Sequence, residues 1–190
     1  MNRAYLVFLG LYLLLAGCGN VPPTPTDSFY RLQPVSLSTA SKAFSGDITV
    51  QPLRADSLYS ERPIVYSEAS SLRQLRQYHY HLWLYPPAQL VQGHLAASLG
   101  NAPGLIGGSH SPDVIEGRIV SFERVVSGKN SKAVVSLELR LLADGKPRVN
   151  KTYLAEQSAT DDTLGAFAVA MEQALGKIYA DFLTDVLRSR

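Results

Sequence analysis

The sequence predicts an α+β fold: a largely antiparallel sheet with two main helices packed on one face, the C-terminal helix long. Three observations predict it. Residues 113–157 read as three successive strands joined by tight-turn signals. From Leu164 to Val186 a single apolar stripe then repeats at helical spacing. A shorter helical pattern between Pro86-Pro87 and Gly100 separates that meander from an earlier group of strands. Strands, helix, strands, helix in this order place the helices against a sheet rather than between parallel strands.

Taken in order, the first structured segment begins near Ser28, where Phe29-Tyr30-Arg31-Leu32 reads as a strand closed by Pro34. A Ser/Ala/Thr-rich loop fills 36–45, and Asp47 to Pro52 is a second strand with Ile48 and Val50 on one face. Leu58 to Tyr66 (LYSERPIVY) is a turn entering a short strand. Residues 78–85 alternate, with Tyr78, Tyr80, Leu82 and Leu84 on one side and His79, His81, Trp83 and Tyr85 on the other. Pro86-Pro87 stops that strand and starts a helix, since proline is tolerated in a first turn. Leu90, Val91, Leu95 and Leu99 form its stripe, and Gly100 ends it. A loop rich in Gly, Ser and Pro occupies 101–112.

The last third carries the clearest signals. Asp113 to Val126 is a long strand turned by Ser127-Gly128-Lys129-Asn130. In 132–142, Val135, Leu137, Leu139 and Leu141 alternate with Ser136, Glu138 and Arg140. Asp144-Gly145 marks a hairpin, and Arg148 to Gln157 is the third strand. Thr160 or Asp161 is expected to cap the final helix, whose stripe is Leu164, Phe167, Met171, Ala174, Leu175, Ile178, Phe182 and Val186. From about 162 to 188 it would span roughly 40 Å. No internal repeat is visible.

Ahead of this body lies a segment of another kind. Met1-Asn2-Arg3 carries one positive charge, Ala4 to Leu15 is nearly all apolar, and Leu15-Ala16-Gly17-Cys18 follows. This is the layout of a secretory signal peptide, with an apolar run shorter than the ~20 residues that span a bilayer core. Its last four residues resemble the lipobox of bacterial lipoproteins, in which the cysteine is acylated and the signal removed before it. The chain has a single Cys, so lipidation of Cys18 gives a use to a thiol with no disulfide partner. Two acyl chains hold a protein stably where one does not. Gly19, in place of an Asp after the cysteine, points by the enteric sorting rule to the outer membrane, with the domain facing the periplasm. The expected organisation is a signal peptide at 1–17, a lipidated Cys and Pro-rich tether at 18–27, and one α+β domain at 28–190. Asn20 to Thr26 (NVPPTPT) would extend by about 20 Å.

Composition narrows the function classes. A body of about 170 residues fits one domain. A hydrophobic fraction of 46% supports a core, and a formal charge of +2 without a Lys/Arg run excludes a nucleic-acid surface. Ten tyrosines suit half-buried strand faces and interfaces.

Catalytic or metal chemistry finds little support. His79 and His81 share a strand face, yet no third ligand stands at a marked spacing, with His94, His110 and acids as the only sources. Exposed strand histidines are the plainer reading, and no metal or cofactor is expected. No G-x-S-x-G elbow occurs, and Gly107-Gly108-Ser109-His110 matches neither a nucleophile nor a phosphate-loop pattern. Asp161-Asp162 reads as a helix-start pair before it reads as a cation site. Trp83-Leu84-Tyr85-Pro86-Pro87 either closes the core or forms a rigid ridge for a partner, so Trp83, Tyr85, Pro86 and Pro87 are the candidate binding residues.

Leu58 to Tyr66, then Trp83-x-x-Pro86-Pro87, then Glu116 to Glu123 (EGRIVSFE) resemble the landmarks of the ABC-type transport auxiliary lipoproteins, the PqiC/YmbA-like family. The lipobox and the long last helix agree, so the resemblance covers nearly the whole chain after Cys18. Tyr85 departs from the acidic residue many members carry before the prolines. The resemblance implies a non-catalytic, outer-membrane-anchored auxiliary of an MCE-domain protein and ABC permease system, which moves lipids between membranes. It brings no catalytic residues. Homo-oligomerisation through an edge-bearing sheet fits this reading. The competing functions are a direct periplasmic binder of lipid or small molecules, which needs an apolar pocket between sheet and helices, and an assembly lipoprotein for an outer-membrane pore.

Overall fold

The long meander strand 113–127 is the axis of the structure. The computed structural model describes residues 25–37, 43–44, 48–100 and 113–189. Its strands are β1 (Ser28–Tyr30), β2 (Ile48–Val50), β3 (Arg54–Ala55), β4 (Pro63–Glu68), β5 (Ser71–Trp83), β6 (Asp113–Ser127), β7 (Asn130–Ala143) and β8 (Lys146–Ser158). Its helices are α1 (Pro87–Ser98) and α2 (Leu164–Arg188), with a 3-10 turn at Ser57–Ser60. The α+β class holds, with one mixed sheet of 8 strands.

On one side of β6 the sheet is antiparallel. β7 and β8 follow through two-residue turns at Gly128-Lys129 and Asp144-Gly145. Asp144 and Gly145 both have positive φ, 51° and 72°, the backbone a type I′ turn requires. On its other edge β6 pairs in parallel with β2, β3 and β4 in succession. Residues 48–68 therefore run alongside β6 as an interrupted strand. β5 returns antiparallel to β4, and β1 lies parallel to β5 at the sheet edge.

Of four register shifts in the sheet, two reshape the strands near the strand–helix junction. Between Ile119 and Ser121 an extra residue, Val120, bulges from β6 against β7. Before it Ile115 and Ile119 face the helices; after it Phe122 does. Between Pro63 and Val65, β4 advances two residues while β5 runs from Leu82 back to Gln77. The extra residues fall within Tyr78-His79-Tyr80-His81, so the two-sided alternation expected there is broken.

Both helices cover the same sheet face. The α2 stripe Leu164, Phe167, Met171, Ala174, Leu175, Ile178, Phe182 and Val186 is buried, against Val135, Leu137, Leu139 and Leu141 of β7 in one core. α1 joins that core through Leu90, Val91 and Leu95. It opens with Pro87 in its first turn and ends at Gly100, whose φ is +82°. The cap of α2 differs from expectation. Thr163, not Thr160 or Asp161, accepts the Ala166 N–H at 3.1 Å. Asp161 instead accepts from the Thr163 N–H at 2.8 Å and from its hydroxyl at 2.6 Å, which holds the cap in place. On the opposite face, solvated pairs such as Arg118–Glu138 at 3.2 Å add less than about 1 kcal/mol each.

The chain entering this body is tied down at once. Pro25 to Asp27 are exposed and without regular structure, and β1 follows. Beyond it, the Gln33 N–H donates to Glu172 of α2 at 2.7 Å, and the Val35 N–H donates to Ser98 of α1 at 3.0 Å. Val35 packs on Gly176, where an added Cβ would stand 3.3 Å from its methyl. No described helix is long and apolar enough to cross a membrane.

Candidate functional site

The four residues singled out at the strand–helix junction divide between core and surface. Trp83 is 1% exposed, with its ring 5.3 Å from Phe122 of β6 and 5.8 Å from Phe167 of α2. Pro87 is buried as well, and Pro86 is half-buried. Trp83 therefore closes the core, and its side chain does not form the ridge proposed for it. The reason is its register: β5 resumes regular pairing at Leu82, which turns Trp83 beneath α2.

The exposed ridge is made by its neighbours. Leu84 is 40% exposed and Tyr85 49%. Phe29 of β1, 52% exposed, pairs with β5 beside them. The Arg62 guanidinium sits 4.9 Å over the Phe29 ring and donates to the Trp83 carbonyl at 3.1 Å. The backbone is held from both sides, because the Trp83 N–H donates to the Arg62 carbonyl and the Leu84 N–H to the Tyr30 carbonyl. The result is an apolar strip with one cation on a rigid base. Phe29 and Leu84 were not singled out from sequence; their i, i+2 neighbours carried the apolar signal.

The histidines take separate places. His81 pairs with the Tyr30 hydroxyl at 3.1 Å and meets the Tyr78 ring edge-on at 5.6 Å. His79 is exposed beside Tyr80. His94 lies in the core between the helices, its Nε2 against the Gln33 carbonyl at 2.8 Å and its Nδ1 against the Tyr179 hydroxyl at 3.1 Å. Burial pushes His94 down to about 4. Among the described residues no group of three His, Cys, Asp or Glu side chains is placed to hold a metal. His110 and the Gly107-Gly108 loop lie outside the described residues, as does Cys18.

Two other acids have shifted affinities with structural causes. Burial raises Glu123, which accepts from the Tyr59 hydroxyl at 3.0 Å. Hydrogen bonds from Lys151 and Tyr153 lower Asp185 on α2 and tie that helix to β8. Both arrangements fasten elements together. Among the described residues, side chains such as Phe167, Met171 and Phe182 fill the space between sheet and helices, and a cleft of about 310 Å³ beside the end of α2 carries Asp113 and Arg148 as well as Leu141 and Val186 in its lining.

With this geometry in view, the comparisons are informative. Residues 30–181 match the family described as the ABC-type transport auxiliary lipoprotein component. The chain belongs to this family. The match runs from the end of β1 into α2 and takes in Arg62, Leu84 and Tyr85 of the ridge, while Phe29 lies one residue before it. A crystal structure of a Xanthomonas campestris protein shares 16% identity, covering 85% of this chain and 96% of that one, with a TM-score of 0.68. A second crystal structure, of an uncharacterised protein, shares 17%, covers 85% and 99%, and gives 0.66. At that identity they establish a shared fold. No curated protein matches the sequence significantly.

Proposed function

We propose that this family member is an outer-membrane-anchored periplasmic lipoprotein that docks an MCE/ABC-type lipid-transport assembly and catalyses no reaction. The family match over residues 30–181 is the observation that carries the reading. That match supplies an auxiliary role beside an ABC-type transporter; the finer assignment rests on residues outside and around it. Acylation of Cys18 anchors the chain, and 18–27 forms the tether. The tether leads into β1, and the ridge residue Phe29 comes two positions after Asp27. Anchor and docking strip are thus close in the chain. Exposed aromatic and aliphatic side chains with an adjacent arginine are the composition of interface centres.

Two variants test the reading. Leu84→Glu combined with Tyr85→Ala should abolish co-purification with an MCE-domain protein, while the unfolding free energy stays within about 1 kcal/mol of the parent. Retained co-purification would remove the ridge from the docking surface. Cys18→Ala should lose both palmitate labelling and outer-membrane fractionation. A variant that takes up no palmitate yet still fractionates with the outer membrane ends the anchoring claim.

A further inference from the structure

The two breaks in strand alternation converge on one group. The bulge at Val120 shifts the parity of β6, and Arg124 is left on the buried side, 6% exposed. Its Nη1 donates to the Tyr78 hydroxyl at 2.9 Å and its Nη2 to the Asp162 carbonyl at 2.6 Å. Among the described residues its Nε has no hydrogen-bond partner. Among the described residues Arg124 forms no ion pair. A buried guanidinium without a counter-ion is costly, and removal of such a cost is what an incoming anion can supply.

The irregular part of β5 supplies the other side. Tyr78 stacks against Tyr66 with ring centres 4.4 Å apart and turns its edge to His81. Because the Tyr78 oxygen accepts from Arg124, its own proton is free to be donated outward, and no described residue accepts it. When Tyr30 donates to His81 Nδ1, the imidazole carries its proton on Nε2. Tyr66, Arg76, Gln77, Tyr78, His79, Tyr80 and His81 line an open groove of about 650 Å³; among the described residues no Asp or Glu lines it, and Glu61 stands behind Gln77, whose amide donates to it at 3.3 Å. Bulges commonly re-aim side chains next to functional sites. Here the irregularity in β5 brings a phenol, an imidazole and an arginine to one concavity, and the bulge in β6 sets the buried Arg124 behind Tyr78.

We propose that this groove binds a phosphate group, with Tyr78, His81 and Arg76 as donors and Arg124 as the charge behind Tyr78. Three separate donors suit the several acceptor oxygens of a phosphate better than the two of a carboxylate. The Tyr66 and Tyr80 rings offer apolar walls to whatever carries the phosphate, so a lipid headgroup and free phosphate share the recognising chemistry. The site is separate from the docking ridge and does not depend on it.

Calorimetric titration of the full chain in a non-ionic detergent tests this, with inorganic phosphate and with dihexanoyl-phosphatidic acid as probes. Saturable binding of at least one probe is expected. Tyr78→Phe, which keeps the ring, and Arg76→Gln, on an exposed position, should each weaken it about tenfold. Leu154→Ala, on an exposed position of β8 at the far side of the sheet, should leave it unchanged, and thermal melts check that all three fold. Equal binding of both probes supports a site for the free anion; binding of the phosphatidic acid alone supports a headgroup site. No saturable binding of either probe overturns the proposal, and so does binding indifferent to Tyr78→Phe and Arg76→Gln. Co-purification of Tyr78→Phe with the MCE-domain protein separates this outcome from failure of the docking reading.

Discussion

His94 is a neutral imidazole built into the core, and the fold keeps it neutral. Desolvation is the main cause of its depressed affinity, with the Gln33 carbonyl opposing in part. Its folded value of about 4 lies below the ordinary imidazole value of 6.5, so between those limits the unfolded chain binds a proton the folded chain refuses. The resulting stability is complete above pH 6.5 and is lost as pH falls through about 4. At 1.36 kcal/mol per unit the loss approaches about 3 kcal/mol. Denaturant titrations at pH 7 and pH 4 should show this drop in the parent and a smaller one in His94→Gln. An identical drop in both proteins would mean that His94 does not titrate as its burial requires. Thr163 is a second single-residue control, since Thr163→Ala should cost about 1 kcal/mol by freeing the Ala166 N–H.

Among elements, β6 and α2 organise the rest. At Gly117, β6 approaches β7 so closely that an added Cβ would stand 2.7 Å from the Glu138 carbonyl oxygen and 3.0 Å from a Leu139 methyl. A carbonyl fixed in a ladder cannot yield as a flexible side-chain tip does, so Gly117→Ala should cost about 1–3 kcal/mol in chemical denaturation. No measurable change would show that the strands part there without strain. For α2, Phe182→Ala should cost about 3–5 kcal/mol, because the ring is fully buried and meets Tyr153 edge-on at 6.0 Å. Leu187→Ala, on a partly exposed position of the same helix, should stay within about 0.5 kcal/mol. Comparable losses at the two sites would contradict a helix held by one stripe.

For the molecule as a whole, the N-terminal segment is the link between the anchor proposed at Cys18 and the body. Residues 33–35 hydrogen-bond to both helices, so a pull on the tether is passed to the core rather than to a loose loop. Cys18→Ala should therefore change where the protein resides and leave its melting temperature unchanged in detergent. A lowered melting temperature would mean that the lipidated segment contributes to folding. Ridge variants should give the complementary pattern, with altered partner binding at constant stability. The two classes separate location from contact.

What the sequence determined by itself was local. Helical stripes, the Asp144-Gly145 turn, the Pro87 and Gly100 helix ends and the alternation of β7 are all set by residues a few positions apart. The landmark runs at 58–66, 83–87 and 116–123 likewise led to the family through their order in the chain. Tertiary structure decided matters of register. Trp83 faces inward and Tyr85 outward because Phe122 and Phe167, distant in sequence, enclose the Trp83 ring. Arg124 is buried because one extra residue at Val120 reverses the faces of the strand after it. A bulge is a mismatch between two strands, and alternation within one strand carries no trace of its partner's count. The parallel run of β2 to β4 along β6 was hidden for the same reason, as pairing depends on the edge that a later strand presents.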